Sequence, residues 1–293
     1  MSIFKSPEAH KAMTAWHEKF RARLGVPTES RTISTQLGET HLLICGPESA
    51  TPLVLLHGAM ASSAHALGEI LPLTDQFRIY AIDVIGQSPL SEDTRPNPNT
   101  DDYGHWLKEC LDVLGLDKVC LLGVSWGGGV ALRFASLYPE RLVALSLIVP
   151  AGLVAGSAKD GFLKMGFPLM RYQLFPTTAN RDALLKNLFT EPDPTWGEYL
   201  GEAFRSYKFD FNAPRLLRDD ELSKLTAPVQ VIAAENDISF PGEALLARAR
   251  ILFPNLRSAV LLSGAKHTPS FSSEARCALA KTISGFLLHA EAG

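Results

Sequence analysis

Short apolar runs alternate with amphipathic stretches along much of this 293-residue chain. Four runs have the length and apolar character of strands buried on both faces of a parallel sheet. They are residues 53–56, 77–82, 119–122 and 142–149. Because helical patterns lie between them, the sequence predicts right-handed βαβ units. The expected fold is therefore α/β, with a mostly parallel central sheet flanked by helices.

The chain ahead of the first run predicts a helix and a hairpin. A helix is expected over residues 7–24, because Pro7 suits a first turn and Gly25 can end it. Its apolar stripe is expected at four-residue spacing: Ala12, Trp16, Phe20 and Leu24. Strand patterns at 31–36 and 40–44 meet at Gly38-Glu39, which predicts a hairpin turn there. Residues 1–30 are assigned as the N-terminal helix and lead-in.

The α/β alternation is interrupted between residues 153 and 226. Helices are predicted there around 162–174, 181–189 and 196–207, and prolines separate them. The alternation then resumes with strands at 229–233 and 259–262 and helices at 242–252 and 273–289. The sequence thus predicts an α/β core made of residues 31–152 and 227–293, with residues 153–226 inserted as a helical cap.

The segment Gly123-Val124-Ser125-Trp126-Gly127 places a serine between a strand pattern and a helix pattern. This G-x-S-x-G order is typical of a nucleophile elbow, in which a strained turn lifts the serine hydroxyl clear of the backbone. Side chains two positions before and after the serine would collide, which explains glycine at both. The alternative interpretation is a glycine-rich connection with an incidental serine.

Reactive groups of a parallel sheet gather at the carboxyl ends of its strands. A serine, an acid and a histidine follow strands of this chain in that order: Ser125, Asp237 and His267. Ser125 is the candidate nucleophile, His267 its general base, and Asp237 the carboxylate that orients the imidazole. Glu235 is a rival for the acid, although its position nearer the strand favours a sheet-end or surface carboxylate.

The remaining histidines and Asp83 are weaker candidates for catalysis. Asp83 precedes the serine in the chain and is interpreted as a loop or helix-cap residue. His57 stands at a strand end before Gly58, and we expect it to shape that turn by hydrogen bonding. Four others lie in helix patterns and are expected to be solvated: His10, His17, His105 and His289.

A carbonyl attacked by Ser125 needs two hydrogen-bond donors for the charge that develops on its oxygen. The backbone N–H of Trp126, at the start of the following helix, is the first candidate. The second is expected from the turn after residue 56, with Ala59 preferred and Met60 next. Gly58 in that turn allows the close approach of the backbone that this role needs.

Composition argues against several other classes of function. A net charge of −3, with both signs interspersed, offers no basic surface for nucleic acid. No apolar stretch approaches the ~20 residues of a membrane span. No nucleotide-binding or metal-ligand motif occurs, so neither a cofactor nor a metal is expected. Because the N-terminus lacks signal-peptide features and three of the four cysteines lie in apolar patterns, a cytoplasmic location is expected.

These motifs resemble the α/β-hydrolase family from about residue 32 to residue 288. HGAM, the strand ending at Asp83, GVSWGG, AENDISFP and the late His267 match the family's order and spacing. The stretches AIDVIGQSPLSED, TDDYGHWLKECLDVLGLDKVCLLGVS and DDELSKLTAPVQVIAAENDISF resemble bacterial carboxylesterases more closely. Two departures affect the expected pocket: Lys266 stands where the family often has glycine, and Gln87 follows Gly86 in a shortened loop.

The resemblance implies a serine hydrolase, best interpreted as a carboxylesterase that cleaves small to medium esters through an acyl-enzyme on Ser125. The alternatives are another reaction on the same triad (C–C bond hydrolase, lactonase, perhydrolase or lyase) or a ligand receptor with little turnover. A small-molecule ester is the predicted partner, and the oligomeric state is left open. Most apolar cap side chains are expected to pack against the core and a few to line an acyl site. These are Phe162, Met165, Phe167, Leu169, Met170 and Phe175.

Overall fold

An eight-stranded sheet organises the computed structural model, which describes residues 2–210, 212–269 and 272–291. Its strands are β1 (Glu29–Thr35), β2 (Gly38–Cys45), β3 (Thr51–Leu56), β4 (Phe77–Ile82), β5 (Val119–Val124), β6 (Leu142–Ile148), β7 (Val229–Ala234) and β8 (Leu256–Leu262). Their spatial order is β1-β2-β4-β3-β5-β6-β7-β8. Strands β3 to β8 are parallel, and β1 and β2 are antiparallel to their neighbours. The predicted mostly parallel sheet is confirmed.

Helices flank this sheet on both sides. Those of the core are α1 (Pro7–Arg21), α2 (Ser63–Glu69), α3 (Asp102–Val113), α4 (Trp126–Leu137), α9 (Gly242–Leu252) and α10 (Ser273–Glu291). Those between β6 and β7 are α5 (Ala158–Gly161), α6 (Phe167–Leu174), α7 (Thr178–Leu185) and α8 (Pro194–Ser206). Two hydrophobic clusters pack against the sheet. Because strands β3, β5, β6 and β7 contribute alternate residues to the two clusters, both faces of the sheet are buried.

Two predictions for the N-terminal region need correction. The hairpin turn lies two residues earlier than predicted, because Thr35 pairs with Gly38 and residues 36–37 form the turn. The apolar stripe of α1 contains Met13, His17 and Phe20 in buried positions, whereas Ala12 and Trp16 are only partly buried. A helix turns once per 3.6 residues, so its buried stripe alternates three- and four-residue steps. His17, predicted to be solvated, is therefore fully buried.

The helix predicted over 162–174 is divided into two parts. After α5, residues Phe162–Gly166 have π-helical geometry, and α6 begins at Phe167. Pro168 has no N–H for the carbonyl of Lys164, and that carbonyl accepts a hydrogen bond from Asn187 Nδ2 at 2.7 Å instead. The predicted inward packing is also wrong for most of the apolar residues here. Four are exposed: Phe162, Phe167, Met170 and Phe175.

The helical segment, residues 153–226, is bound to the core by polar contacts. Lys208 N donates to the Ile3 carbonyl at 2.7 Å. Arg133 on α4 donates to the Glu221 carboxylate at 2.9 Å, and both side chains are only 8% exposed. The Arg215 guanidinium binds the same carboxylate, and these two arginines hold the pKa of Glu221 well below its usual value. The far end of the segment is thereby tied to the helix that follows the elbow.

Candidate active site

The turn between β5 and α4 holds Ser125 in a strained conformation, with φ 50° and ψ −113°. Its N–H donates to the Ile148 carbonyl at 2.9 Å, and its own carbonyl accepts from Ala151 N at 2.9 Å. A Cβ atom on Gly127 would lie 2.5 Å from the carbonyl oxygens of Leu56 and His57. The elbow therefore requires glycine at that position for a steric reason.

Ser125, His267 and Asp237 form one continuous chain of hydrogen bonds. Ser125 Oγ lies 2.9 Å from His267 Nε2, and His267 Nδ1 lies 2.8 Å from Asp237 Oδ2. The other carboxylate oxygen of Asp237 accepts the N–H groups of Ser239 and Phe240 at 2.8 and 3.2 Å. Since a carboxylate can only accept, His267 Nδ1 carries the proton and Nε2 presents its lone pair to the serine.

Glu235, the rival for the acid, is directed elsewhere. It is exposed and accepts hydrogen bonds from Gly264 N at 2.6 Å and Ser263 Oγ at 3.1 Å. These bonds lower the pKa of Glu235. The side chain stabilises the turn after β8, whereas Asp237 is buried at 3% exposure beneath the imidazole. The structure thus brings Asp237, and not Glu235, to His267.

The turn after β3 lies directly beside the serine. A Cβ atom built on Gly58 would be 3.4 Å from the Cβ of Ser125, so the two backbones are in close contact. Among the described residues, the N–H groups of Ala59 and Trp126 have no hydrogen-bond acceptor. Met60 N, the other candidate, is directed toward Gln87 Oε1 at 3.4 Å. The N–H groups of Ala59 and Trp126 therefore stay the candidate donors of the site.

Ser125, His267 and Ala59 line a mostly apolar pocket of about 240 Å³. Helix α8 supplies Trp196, Leu200 and Phe204 to its wall. Within the described residues, three non-glycine residues have positive φ: Met60 at 52°, Ser125 at 50° and Val149 at 42°. All three line this pocket. Such conformations cost about 1–3 kcal/mol each and cluster at functional sites.

The helical segment also fixes the two loops that carry the site. Lys266 N donates to Thr190 Oγ at 2.9 Å, and Thr190 Oγ donates to the Thr268 carbonyl at 2.8 Å. Thr268 N donates to the Leu188 carbonyl at 2.9 Å. On the other loop, the Tyr199 hydroxyl donates to the Met60 carbonyl. These contacts join residues far apart in the chain, and no local sequence pattern indicates them.

Comparison with known proteins matches this architecture to a family. A model of the alpha/beta hydrolase fold matches residues 51–202, more than half of the chain. This chain belongs to the α/β-hydrolase family. The predicted fold class is thereby confirmed together with the family resemblance.

The α/β-hydrolase described here is similar to carboxylesterases of Bacillus subtilis strain 168. It is 28% identical over 247 residues to the uncharacterized carboxylesterase nap, covering 80% of each chain. It is 27% identical to carboxylesterase YbfK over 247 residues, 80% of this chain and 81% of that one. The structure of naproxen esterase (carboxylesterase NP) from the same species has a TM-score of 0.82 at 23% identity, covering 96% and 99% of the two chains. The predicted resemblance to bacterial carboxylesterases is confirmed, and the sequence relatives support a carboxylic ester hydrolase.

A buried cluster of histidines surrounds Asp83 in this hydrolase. Asp83 accepts from Ser63 N and Ser88 Oγ at 2.7 Å and from His41 Nδ1 at 2.5 Å. Burial opposes its ionisation, but His41 and the neighbouring histidines hold the pKa of Asp83 below its ordinary value. The bond to Ser63, at the start of α2, is the helix-cap role predicted for Asp83.

His57 belongs to the same cluster and shapes its turn as predicted. Its Nδ1–H donates to the Gly58 carbonyl at 2.7 Å, and its Nε2 accepts from Val84 N at 2.9 Å. Burial lowers the pKa of His57, which keeps the ring neutral. Both ring nitrogens are therefore occupied in supporting the turn that carries Ala59.

No sequence pattern indicates one pocket residue, Glu69 on α2. It lines the pocket that holds Ser125 and His267. Burial raises the pKa of Glu69 to about 7, against the lowering effect of Arg276 and His267. In the parts of the chain that the structure describes, no group of three or more His, Cys, Asp or Glu residues is arranged to hold a metal ion. Over the same ranges, no helix is long and apolar enough to cross a bilayer.

Proposed function

We propose that this hydrolase cleaves carboxylic esters through an acyl-enzyme on Ser125. The observation that carries the proposal is the hydrogen-bond chain from Ser125 Oγ through His267 to Asp237, opening into an apolar pocket. The sequence relatives named carboxylesterase support the same reaction. Asp237 keeps the proton of His267 on Nδ1, so Nε2 is free to take the serine proton.

The reaction then follows from the positions of these atoms. Ser125 Oγ attacks the ester carbon while its proton moves to His267 Nε2. The N–H groups of Ala59 and Trp126 stabilise the oxyanion. The imidazolium returns the proton to the leaving alcohol, which leaves an acyl-serine. His267 next activates a water molecule, and the acid is released with the serine regenerated.

We also propose that residues 153–226 act as the cap of this site. The wall contributed by Met165, Leu188, Trp196, Leu200 and Phe204 supports this, because all five come from that segment. On this assignment residues 31–152 and 227–293 form the catalytic core, and residues 1–30 form the lead-in. The cap then selects the acyl or alcohol group, and the core performs the chemistry.

Labelling and turnover test the proposal together. A fluorophosphonate probe should modify Ser125, detected by mass spectrometry of the modified peptide. The Ser125→Ala variant should lose both the label and the hydrolysis of short p-nitrophenyl esters. Retained hydrolysis by a folded Ser125→Ala variant would show that another residue is the nucleophile. Ser136→Ala, on the same helix as Trp126, is a matched control that should behave like the wild type.

A further inference from the structure

Glu69 is the one acidic side chain in the described wall of the Ser125 pocket. The wall around it is largely apolar and includes the rings of Trp196 and Phe204. Glu69 is partly buried, at the last position of α2, and its carboxyl makes no hydrogen bond or ion pair with any described residue. A carboxyl group in such a wall is costly unless something pairs with it.

The charged groups around Glu69 do not fully offset the cost of burying its carboxylate. Arg276 on α10 and His267 act on it from other elements, and both favour its ionised form. Burial nevertheless outweighs them, and the pKa of Glu69 remains near 7. His65, on the same helix, is buried, and its pKa is lowered well below the ordinary value, so it adds no positive charge at neutral pH. The charged residues of α1, β2 and β4, elements that pack on α2, do not contribute to the pKa of Glu69.

A cationic group on the substrate would provide the ion-pair partner that the Glu69 carboxylate lacks. It would pair with the carboxylate in a site shielded from bulk water, where charge interactions are strong. An alkylammonium group would also be attracted by the faces of the aromatic rings in the same wall. We propose that Glu69 forms a subsite for a positively charged group, so that this hydrolase prefers esters bearing an alkylammonium on an apolar acyl or alcohol chain. This inference rests on the proposed ester hydrolysis at Ser125.

Matched pairs of esters test the subsite without interference from other titrations. On the acyl side, the pair is the p-nitrophenyl esters of 6-(trimethylammonio)hexanoate and 7,7-dimethyloctanoate. On the alcohol side, the pair is the choline and 3,3-dimethylbutyl esters of hexanoic acid, followed in a pH-stat. Within each pair the shapes agree, and the quaternary charge does not titrate. Because both members need the same His267, its titration cancels in the ratio of their kcat/KM values.

The expected result is a ratio, cationic over neutral, that rises about tenfold in at least one pair as the pH passes from about 5.5 to about 8.5. The rise follows ionisation of Glu69, so Glu69→Gln should flatten it. Glu243→Gln removes an exposed charge on α9 and should leave the rise intact. The wild-type profile decides the question even if Glu69→Gln does not fold.

Two outcomes would overturn the subsite. One is a ratio that is independent of pH in both wild-type pairs, and the other is a rise that persists unchanged in Glu69→Gln. Failure of the proposed function looks different, because hydrolysis of every ester would then be absent or independent of Ser125. Cleavage of both members by Ser125 with a flat ratio would reject the cation subsite alone.

Discussion

Thr190 offers a direct test of whether the helical segment positions His267, the proposed general base. Its hydroxyl accepts a hydrogen bond from Lys266 N at 2.9 Å and donates one to the Thr268 carbonyl at 2.8 Å. These two partners are the residues on either side of His267. Thr190→Val keeps the branched shape and removes only the hydroxyl. The main-chain bond from Thr190 N to the Thr268 carbonyl, at 3.1 Å, remains possible.

The size of the effect follows from the two bonds that are lost. Each hydrogen bond of this kind contributes about 0.5–1.5 kcal/mol. If the loss of about 2 kcal/mol falls entirely on the placement of His267, kcat decreases about thirtyfold. Thr190 does not line the Ser125 pocket, so substrate binding should change little. We therefore expect a reduced kcat with a nearly unchanged KM.

Steady-state kinetics on a p-nitrophenyl ester measure this effect. Thr190→Ser is the matched control, because it keeps the hydroxyl and should recover most of the wild-type kcat. Thermal unfolding of both variants identifies any general loss of stability. Wild-type kcat in Thr190→Val, or an equal loss in Thr190→Ser, would refute a positioning role for the hydroxyl. A change confined to KM would refute it as well.

Two further predictions concern stability. Burial lowers the pKa of three histidines: His17, His57 and His65. Below pH 6.5 the unfolded chain binds protons that these folded-state rings do not. The free energy of unfolding should therefore fall with decreasing pH, by up to about 1.4 kcal/mol per pH unit for each ring. Glu69, whose raised pKa makes the folded chain take up a proton in the same range, offsets part of the loss from one ring. Urea unfolding at about pH 7.5 and 5.5 measures this slope, and equal stabilities would contradict it. Glu221→Gln removes the buried carboxylate 2.9 Å from Arg133, leaves Arg133 only the half-exposed Asp101 at 3.3 Å, and should cost about 3 kcal/mol. Asp219→Asn, which removes the exposed ion pair with Arg248, should cost under about 1 kcal/mol in the same assay.

The sequence was most informative where one physical requirement dominates a local stretch. Strand β4 (Phe77–Ile82) and helix α9 (Gly242–Leu252) have the predicted bounds, because burial and periodicity are local properties. The alignment of Ser125, Asp237 and His267 was also predictable, since strand ends of a parallel sheet lie at one edge. The prediction for His17 is wrong because four-residue spacing places the buried stripe of α1 on the wrong residues, whereas 3.6-residue spacing includes His17 in the face that packs on α2 and α8.

Contacts between distant parts of the chain could not be predicted in this way. Glu69 lies on a short helix whose pattern gives no reason to place its carboxyl in a pocket. Its raised pKa depends on burial by elements that the sequence does not order in space. Exposure of Phe162 and Phe175 was likewise unpredictable, because apolar composition favours burial but does not require it.

The helical segment consequently has two roles that a pocket wall alone would not require. Tyr199 holds the turn that carries Ala59, through the Met60 carbonyl, and Thr190 holds the loop that carries His267. Both loops are hydrogen-bonded to the helical segment. Ser125, in contrast, is held by backbone hydrogen bonds to Ile148 and Ala151, at and just after the end of β6. A displacement of the segment would therefore separate His267 and the N–H of Ala59 from Ser125 and Trp126, which stay in place. Substitutions that alter this segment should change kcat as well as substrate preference.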